Sequence, residues 1–293
     1  MATPLEIELR SQCYAYDPAL EVDTNFGYVP SLAAGIVFTT LFGLSMIAHT
    51  VQFIWTRWWW CSVFSVGALV EVLGWAGRTW SSQCPYEATP FLMQISTLII
   101  APAFFTAGIY VLLGRLIQIL GRSSSILSPS LYLWIFSACD IISLVIQAVG
   151  GGMASGQAGK IGGDTKPGTD IMVAGIIFQL VSITVFAVSA VDFLRRVLKQ
   201  RLLQSVQGSV TPLLLAMVFS IVLIYIRSIY RVVELVQGWS GYLITHEAYF
   251  IALDGSMMVP AVAIFNIVHP GSFMPKRKTV NDFDEVSMNE RLA

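Results

Sequence analysis

Residues 211–236 read TPLLLAMVFSIVLIYIRSIYRVVELV. The run is apolar for long enough to cross a hydrocarbon core of roughly 30 Å, which takes about 20 helical residues. Yet it carries Arg227, Arg231 and Glu234. These step by four and then three residues, so a helix gathers them into one stripe on one face. Each ionisable group at membrane depth costs at least roughly 2.5–3.5 kcal/mol unless it is paired or wetted. A span that accepts this cost three times on one face is expected to line something polar.

The same pattern extends outward along the chain. Six further apolar stretches, near 30–52, 59–80, 91–119, 131–151, 170–194 and 246–268, are long enough to cross a bilayer as helices. The composition agrees: 55% of the residues are hydrophobic and 12% charged, where a soluble domain carries about 25% charged residues. Mean hydropathy is +0.70. An open sheet is excluded because its unpaired backbone would face lipid, and the short alternating strands of a barrel do not occur. The sequence predicts an all-α integral membrane protein of seven transmembrane helices over 29–271. It is flanked by an acidic N-terminal tail, 1–28, and a C-terminal tail, 272–293.

Loop charge predicts the orientation. Arg57, Arg115, Arg122, the basic run 195–201 and the tail 276–291 put eleven Lys and Arg on one side, against Arg10, Lys160 and Lys166 on the other. The excess marks the cytosolic face, so the N-terminus is expected outside and the C-terminus inside. The tail lacks the basic stretch and short apolar core of a cleavable signal, and the first span is expected to serve as its own insertion signal. Cys13 and Cys84 then fall together on the oxidising side, where a disulfide between them is a possibility left open. Loop 152–169 is glycine-rich and expected to be mobile. Loop 195–210 is a basic orientation signal that could also meet anionic headgroups.

With that orientation, Glu71, Arg78, Asp140, Arg227, Arg231, Glu234, Glu247 and Asp254 fall mostly in the outer half of the bundle. Gln147, Gln179 and His246 share that stratum. Two readings follow. Pairs such as Arg78–Glu71 and Arg231–Glu234 could simply lock helices together; alternatively the set lines a polar cavity with five acids against three arginines. The segregation to one half favours the cavity. Its acidic excess suits a cationic headgroup at Glu71, Asp140, Glu247 and Asp254. The arginines would orient those acids or bind a phosphate or carboxylate instead. Pro102 and Pro260 are expected to kink their helices.

Several chemistries are excluded or disfavoured. The three histidines, His49, His246 and His269, lie at opposite ends of spans, too far apart to share one zinc ion. A carboxylate metal site is not ruled out by spacing, but no metal, haem or other cofactor is expected, nor nucleic acid. No Walker or Rossmann motif occurs. The chain is read as a non-enzyme, a membrane-embedded hydrolase being the weaker alternative.

Seven blocks in order carry a family likeness: EVLGWAGR (71–78), APAFFTAGIYVLLGRLI (101–117), FSACDIISLVIQAVGGG (136–152), AGIIFQL (174–180), IRSIYRVVELVQG (226–238), HEAYFIALD (246–254) and HPG (269–271). They resemble the fungal lipid-translocating exporter family, which includes resistance proteins for 7-aminocholesterol and sphingoid bases and protoporphyrin-uptake proteins. The resemblance implies a multi-span protein of the plasma membrane, or of a vacuolar or other endomembrane, that flips or exports amphiphiles and confers tolerance to toxic ones. Its partners would be an amphiphilic or sterol-like small molecule and the membrane lipids. A seven-helix receptor or sensor of the same ligands is the alternative.

Overall fold

The computed structural model describes residues 4–121, 124–158, 160, 163–201, 210–239 and 241–274. Parts of loops 152–169 and 195–210, and the C-terminal tail from 275 onward, lie outside the described residues. Among the described residues there is no strand. Seven helical spans are long and apolar enough to cross a membrane. The protein is an integral, multi-pass membrane protein.

A short α1 (Pro4–Ser11) precedes the first span, α2 (Leu32–Thr56). Ser31 caps α2, its hydroxyl accepting from the amide of Ala34, and so supplies one of the acceptors that a helix start requires. Arg57 ends it in the left-handed region at φ 56°. Then come α3 (Ser62–Ser81), α4 (Ala88–Leu120), α5 (Pro129–Ala158), α6 (Lys166–Lys199) and α7 (Thr211–Val236). The seventh span is composite: α8 (Glu247–Phe250) passes through a π-helical turn, Ile251–Gly255, into α9 (Ser256–Ile267), and α10 (Pro270–Phe273) follows.

Each span packs on its sequence neighbours, and α9 returns to α2 to close the ring. The longest-buried spans, α4 and α7, also touch each other across the interior. The core is rich in aromatic rings. Phe38 stacks on Trp75 at 4.2 Å between centroids, and Phe186 meets Tyr110 and Phe136 edge to face at 4.5 and 5.2 Å. Aliphatic side chains such as Ile141, Val145, Val185 and Leu215 stay exposed, as lipid-facing residues do.

The glycine-rich stretch after the fourth span departs from expectation. α5 continues to Ala158 and α6 already begins at Lys166, so most of 152–169 is helix. Gly150 and Gly168 explain it. A Cβ on Gly150 would collide with the backbone of Met172 and the carbonyl of Gly168, and one on Gly168 with the backbone of Ala154. These glycines serve close helix contact rather than loop freedom. Pro102 and Pro260 both lie inside helices.

Candidate functional site

The N-terminal tail and the end of α3 define one end of the bundle. The structure joins Cys13 and Cys84 in a disulfide there. Asn25 donates to the carbonyls of Tyr86 and Glu87 at 2.9 and 2.8 Å, so the tail is fastened over the α3–α4 turn. Cys13, Cys84 and Glu87 also form the one group among the described residues with metal-ligand spacing, but sulfurs bonded to each other offer no thiolate to an ion.

Just below, Arg78 is wholly buried and ties four segments together. It donates through Nη2 to Glu247 at 2.7 Å and to the Tyr28 hydroxyl at 2.8 Å, and through Nη1 to Gln94 at 3.4 Å. Its guanidinium lies 4.5 Å from the ring centre of Phe250 and 5.3 Å from that of Phe26. Glu247 also accepts from the amide of Ser31 at 2.8 Å. Burial raises the Tyr28 phenol above its ordinary value, against the opposing pull of Arg78. The predicted Arg78–Glu71 pair is therefore replaced by Arg78–Glu247. Both lie at the disulfide end of the bundle, Arg78 in the last turn of α3 and Glu247 at the start of α8, whereas Glu71 is two turns deeper.

Deeper still, Arg227 pairs with Asp254 at 2.8 Å and donates to the carbonyl of Leu98 at 2.6 Å. The contact to Asp254 is an ion pair without hydrogen-bond alignment, since neither the Arg227 Nε nor an Asp254 oxygen has an aligned partner. Asp254 sits in the π turn, whose extra residue re-aims the side chains that follow. Glu71 shares this neighbourhood with Arg227, Asp254 and the Trp75 indole, fully buried, and neither of its oxygens has an aligned hydrogen bond among the described residues. Arg231 pairs with Glu234 at 2.6 Å, as its spacing predicts, and Tyr230 donates to the other Glu234 oxygen at 2.8 Å.

Asp140 has no cationic partner among the described residues. Its Oδ2 accepts from the hydroxyls of Thr106 and Tyr110 at 2.9 and 3.0 Å, and its Oδ1 takes no hydrogen bond among the described residues. Gln147 donates to Ser143 at 2.6 Å and to Gln179 at 3.1 Å, leaving its own Oε1 unpartnered. Thr106 and Tyr110, four residues apart on α4, were not singled out by sequence. They lie inside the quoted block 101–117, but hydroxyls in an apolar run usually satisfy the preceding turn of their own helix.

Two clefts result. The first, a narrow space of about 30 Å³ between α4, α5, α6 and α7, is lined by Asp140, Gln147, Gln179, Arg227 and Arg231, with Thr106 and Ser228. The second, a narrow space of about 20 Å³, lies at the disulfide end, between the tail, α4 and the end of α7. It is lined by Arg78, Arg231 and Glu234 with Phe26, Tyr28, Phe91, Trp239 and Phe250. Arg231 borders both. The single acidic cavity expected from sequence is thus two separate spaces. Glu71, Glu247 and Asp254 line neither cleft; two of them hold arginines from behind. His246 is exposed, contacts the Tyr242 carbonyl at 2.7 Å, and also lies outside both.

The model of the family described as RTA1 like protein matches residues 64–277. The chain belongs to the RTA1-like family. The sphingoid long-chain base transporter RSB1 of Saccharomyces cerevisiae (strain Lalvin EC1118 / Prise de mousse) is 36% identical to it. That alignment covers 89% of this chain and 78% of the relative. Protoporphyrin uptake protein 1 of Saccharomyces cerevisiae is 32% identical, with 78% of this chain and 72% of the relative covered. Protein RTA1 of the same organism is 29% identical, with 84% of each covered. No solved structure matches. The RTA1-like match takes in both clefts apart from the tail residues Phe26 and Tyr28.

Proposed function

We propose that this chain moves amphiphiles across the membrane, and that the Asp140 cleft receives a cationic, hydroxyl-bearing headgroup such as that of a sphingoid base. One observation carries the reading: Asp140 is the cleft's one carboxylate, and among the described residues it has no arginine partner and its Oδ1 takes no hydrogen bond. The unpartnered Gln147 Oε1 adds a second acceptor. An amine flanked by hydroxyls supplies the donors both lack. Arg227 and Arg231 do not compete for Asp140, because Asp254 and Glu234 hold them. The apolar tail would lie along the helix faces. The names of the relatives support a lipid-like cargo and movement rather than chemistry, and we read the chain as a non-enzyme. Its N-terminus would be outside and its membrane the plasma membrane, where export would confer tolerance to toxic amphiphiles.

Purified protein in phosphatidylcholine vesicles tests this. It should accelerate leaflet exchange of a fluorescent sphingoid base. Asp140→Asn should weaken cargo affinity about tenfold or more, since a hydrogen bond to a charged group contributes roughly 1.5–3 kcal/mol. Binding without any acceleration would make the protein a sensor of the same ligands; neither binding nor acceleration would sink the reading.

A further inference from the structure

The cleft at the disulfide end has the opposite unsatisfied chemistry. Its acids are spent: Glu234 accepts from Tyr230 on Oε1 and from Arg231 on Oε2. Glu247, behind it, accepts from Arg78 and the Ser31 amide on Oε1. Its donors are not. Arg78 is wholly buried, yet its Nε has no partner, and its Nη1 reaches only Gln94 at 3.4 Å. Arg231 uses Nη1 on Glu234, and its Nε and Nη2 take no hydrogen bond among the described residues.

A guanidinium left with open donors in a water-poor site favours an acceptor with several oxygens, ideally one that engages two N–H groups at once. Both guanidiniums are held in place before any ligand arrives, Arg78 by the rings of Phe26 and Phe250 and Arg231 by Glu234. Pre-set donors cost little further ordering on binding. The remaining wall is apolar. Phe91 meets Phe26 at 4.8 Å and Trp239 at 5.9 Å between ring centres, and Ile95 completes it. The cleft itself is narrow, about 20 Å³, so a headgroup enters only as the apolar wall of Phe91 and Ile95 gives way.

We propose that this cleft is a second ligand site, separate from the Asp140 cleft, that holds the carboxylate or phosphate headgroup of an acidic amphiphile between Arg78 and Arg231. Arg231 forms the wall between the two, so one bundle presents acceptors for an amine on one side and donors for an acid on the other. The site stands on its own geometry and does not require the Asp140 cleft to carry sphingoid bases.

The test measures binding to the purified full chain in phosphatidylcholine nanodiscs, with three probes: lysophosphatidate, palmitate and sphinganine. At least one acid-headed probe should bind, and palmitate alone, lysophosphatidate alone or both would assign the headgroup. Ile95→Trp narrows this cleft without touching a charge. The double variant Arg231→Gln/Glu234→Gln removes the guanidinium without leaving a bare buried acid. Each should weaken the acid-headed probe at least tenfold. Sphinganine binding should survive Ile95→Trp and fall in Asp140→Asn, with the acid-headed probe behaving in reverse. The proposal is overturned if neither acid-headed probe binds, if both variants bind them as wild type does, or if Asp140→Asn rather than Ile95→Trp removes them.

Discussion

At the scale of single residues, the useful distinction is between charges that are spent and charges that are open. Arg78 is spent on one side only: its Nη2 is committed, while its Nε has no hydrogen-bond partner among the described residues. It donates to Glu247 and Tyr28, and its ring contacts hold the tail against α3 and α8. Each hydrogen bond to a charged group contributes roughly 1.5–3 kcal/mol. The side chain of Glu247 keeps 21% exposure, which softens the loss of its partner. Arg78→Gln should therefore destabilise the protein by about 2–4 kcal/mol, seen as a fall of several degrees in the thermal midpoint of detergent-solubilised protein. Arg78→Lys should recover only part of the loss, because an ammonium is a point charge that cannot reproduce the planar fork. An unchanged midpoint in Arg78→Gln would show that the tail is held by its other contacts, the disulfide, Asn25 and the Asp17–Tyr86 hydrogen bonds among them. Sequence could place Arg78 and Glu247 at one depth, but not pair them. Glu71 is on Arg78's own helical face, so local spacing favoured a partner that the three-dimensional packing did not use.

At the scale of helices, the sequence read lengths well and ends poorly. Span α4, predicted over 91–119, runs Ala88–Leu120, about 50 Å at 1.5 Å per residue. That is longer than a hydrocarbon core of roughly 30 Å, so it tilts or emerges. Apolar content marks the buried part of such a helix and says nothing of the turns beyond it. The same blindness hid the continuation of α5 to Ala158, where glycine looked like loop and was contact surface. Gly150→Leu tests this: its side chain meets the backbone of Met172 and Gly168, which cannot rotate away. The α5–α6 pair should part, and folded yield should fall sharply. Gly152→Leu, a position with nothing within 4 Å of an added Cβ, should be tolerated; equal behaviour of the two would refute close packing as the reason. The π turn at 251–255 left no periodic signal, since one extra residue within apolar sequence shifts no hydropathy window. It nonetheless sets where Asp254 points.

At the scale of the whole molecule, seven spans, their order and the clustering of charge were legible because hydropathy and intramembrane cost are properties of residues one at a time. The division into two clefts was not, because it depends on which acid each arginine meets. Orientation rests on loop charge, and it can be checked independently of any ligand. Lys160 lies in the turn between α5 and α6, at the same end of the bundle as the disulfide, while the exposed Arg57 ends α2 at the opposite face. The excess of Lys and Arg on the Arg57 side predicts that this face is the cytosolic one. The two unbonded cysteines, Cys61 and Cys139, are buried and half-buried, so background labelling should be slight. In intact cells, Lys160→Cys should react with a membrane-impermeant maleimide, and Arg57→Cys only after permeabilisation. The reverse pattern would put the disulfide end in the reducing cytosol, where Cys13–Cys84 would not persist. The fixed tail over the second cleft would then lose its covalent anchor, and the cargo would meet the clefts from the opposite side of the membrane.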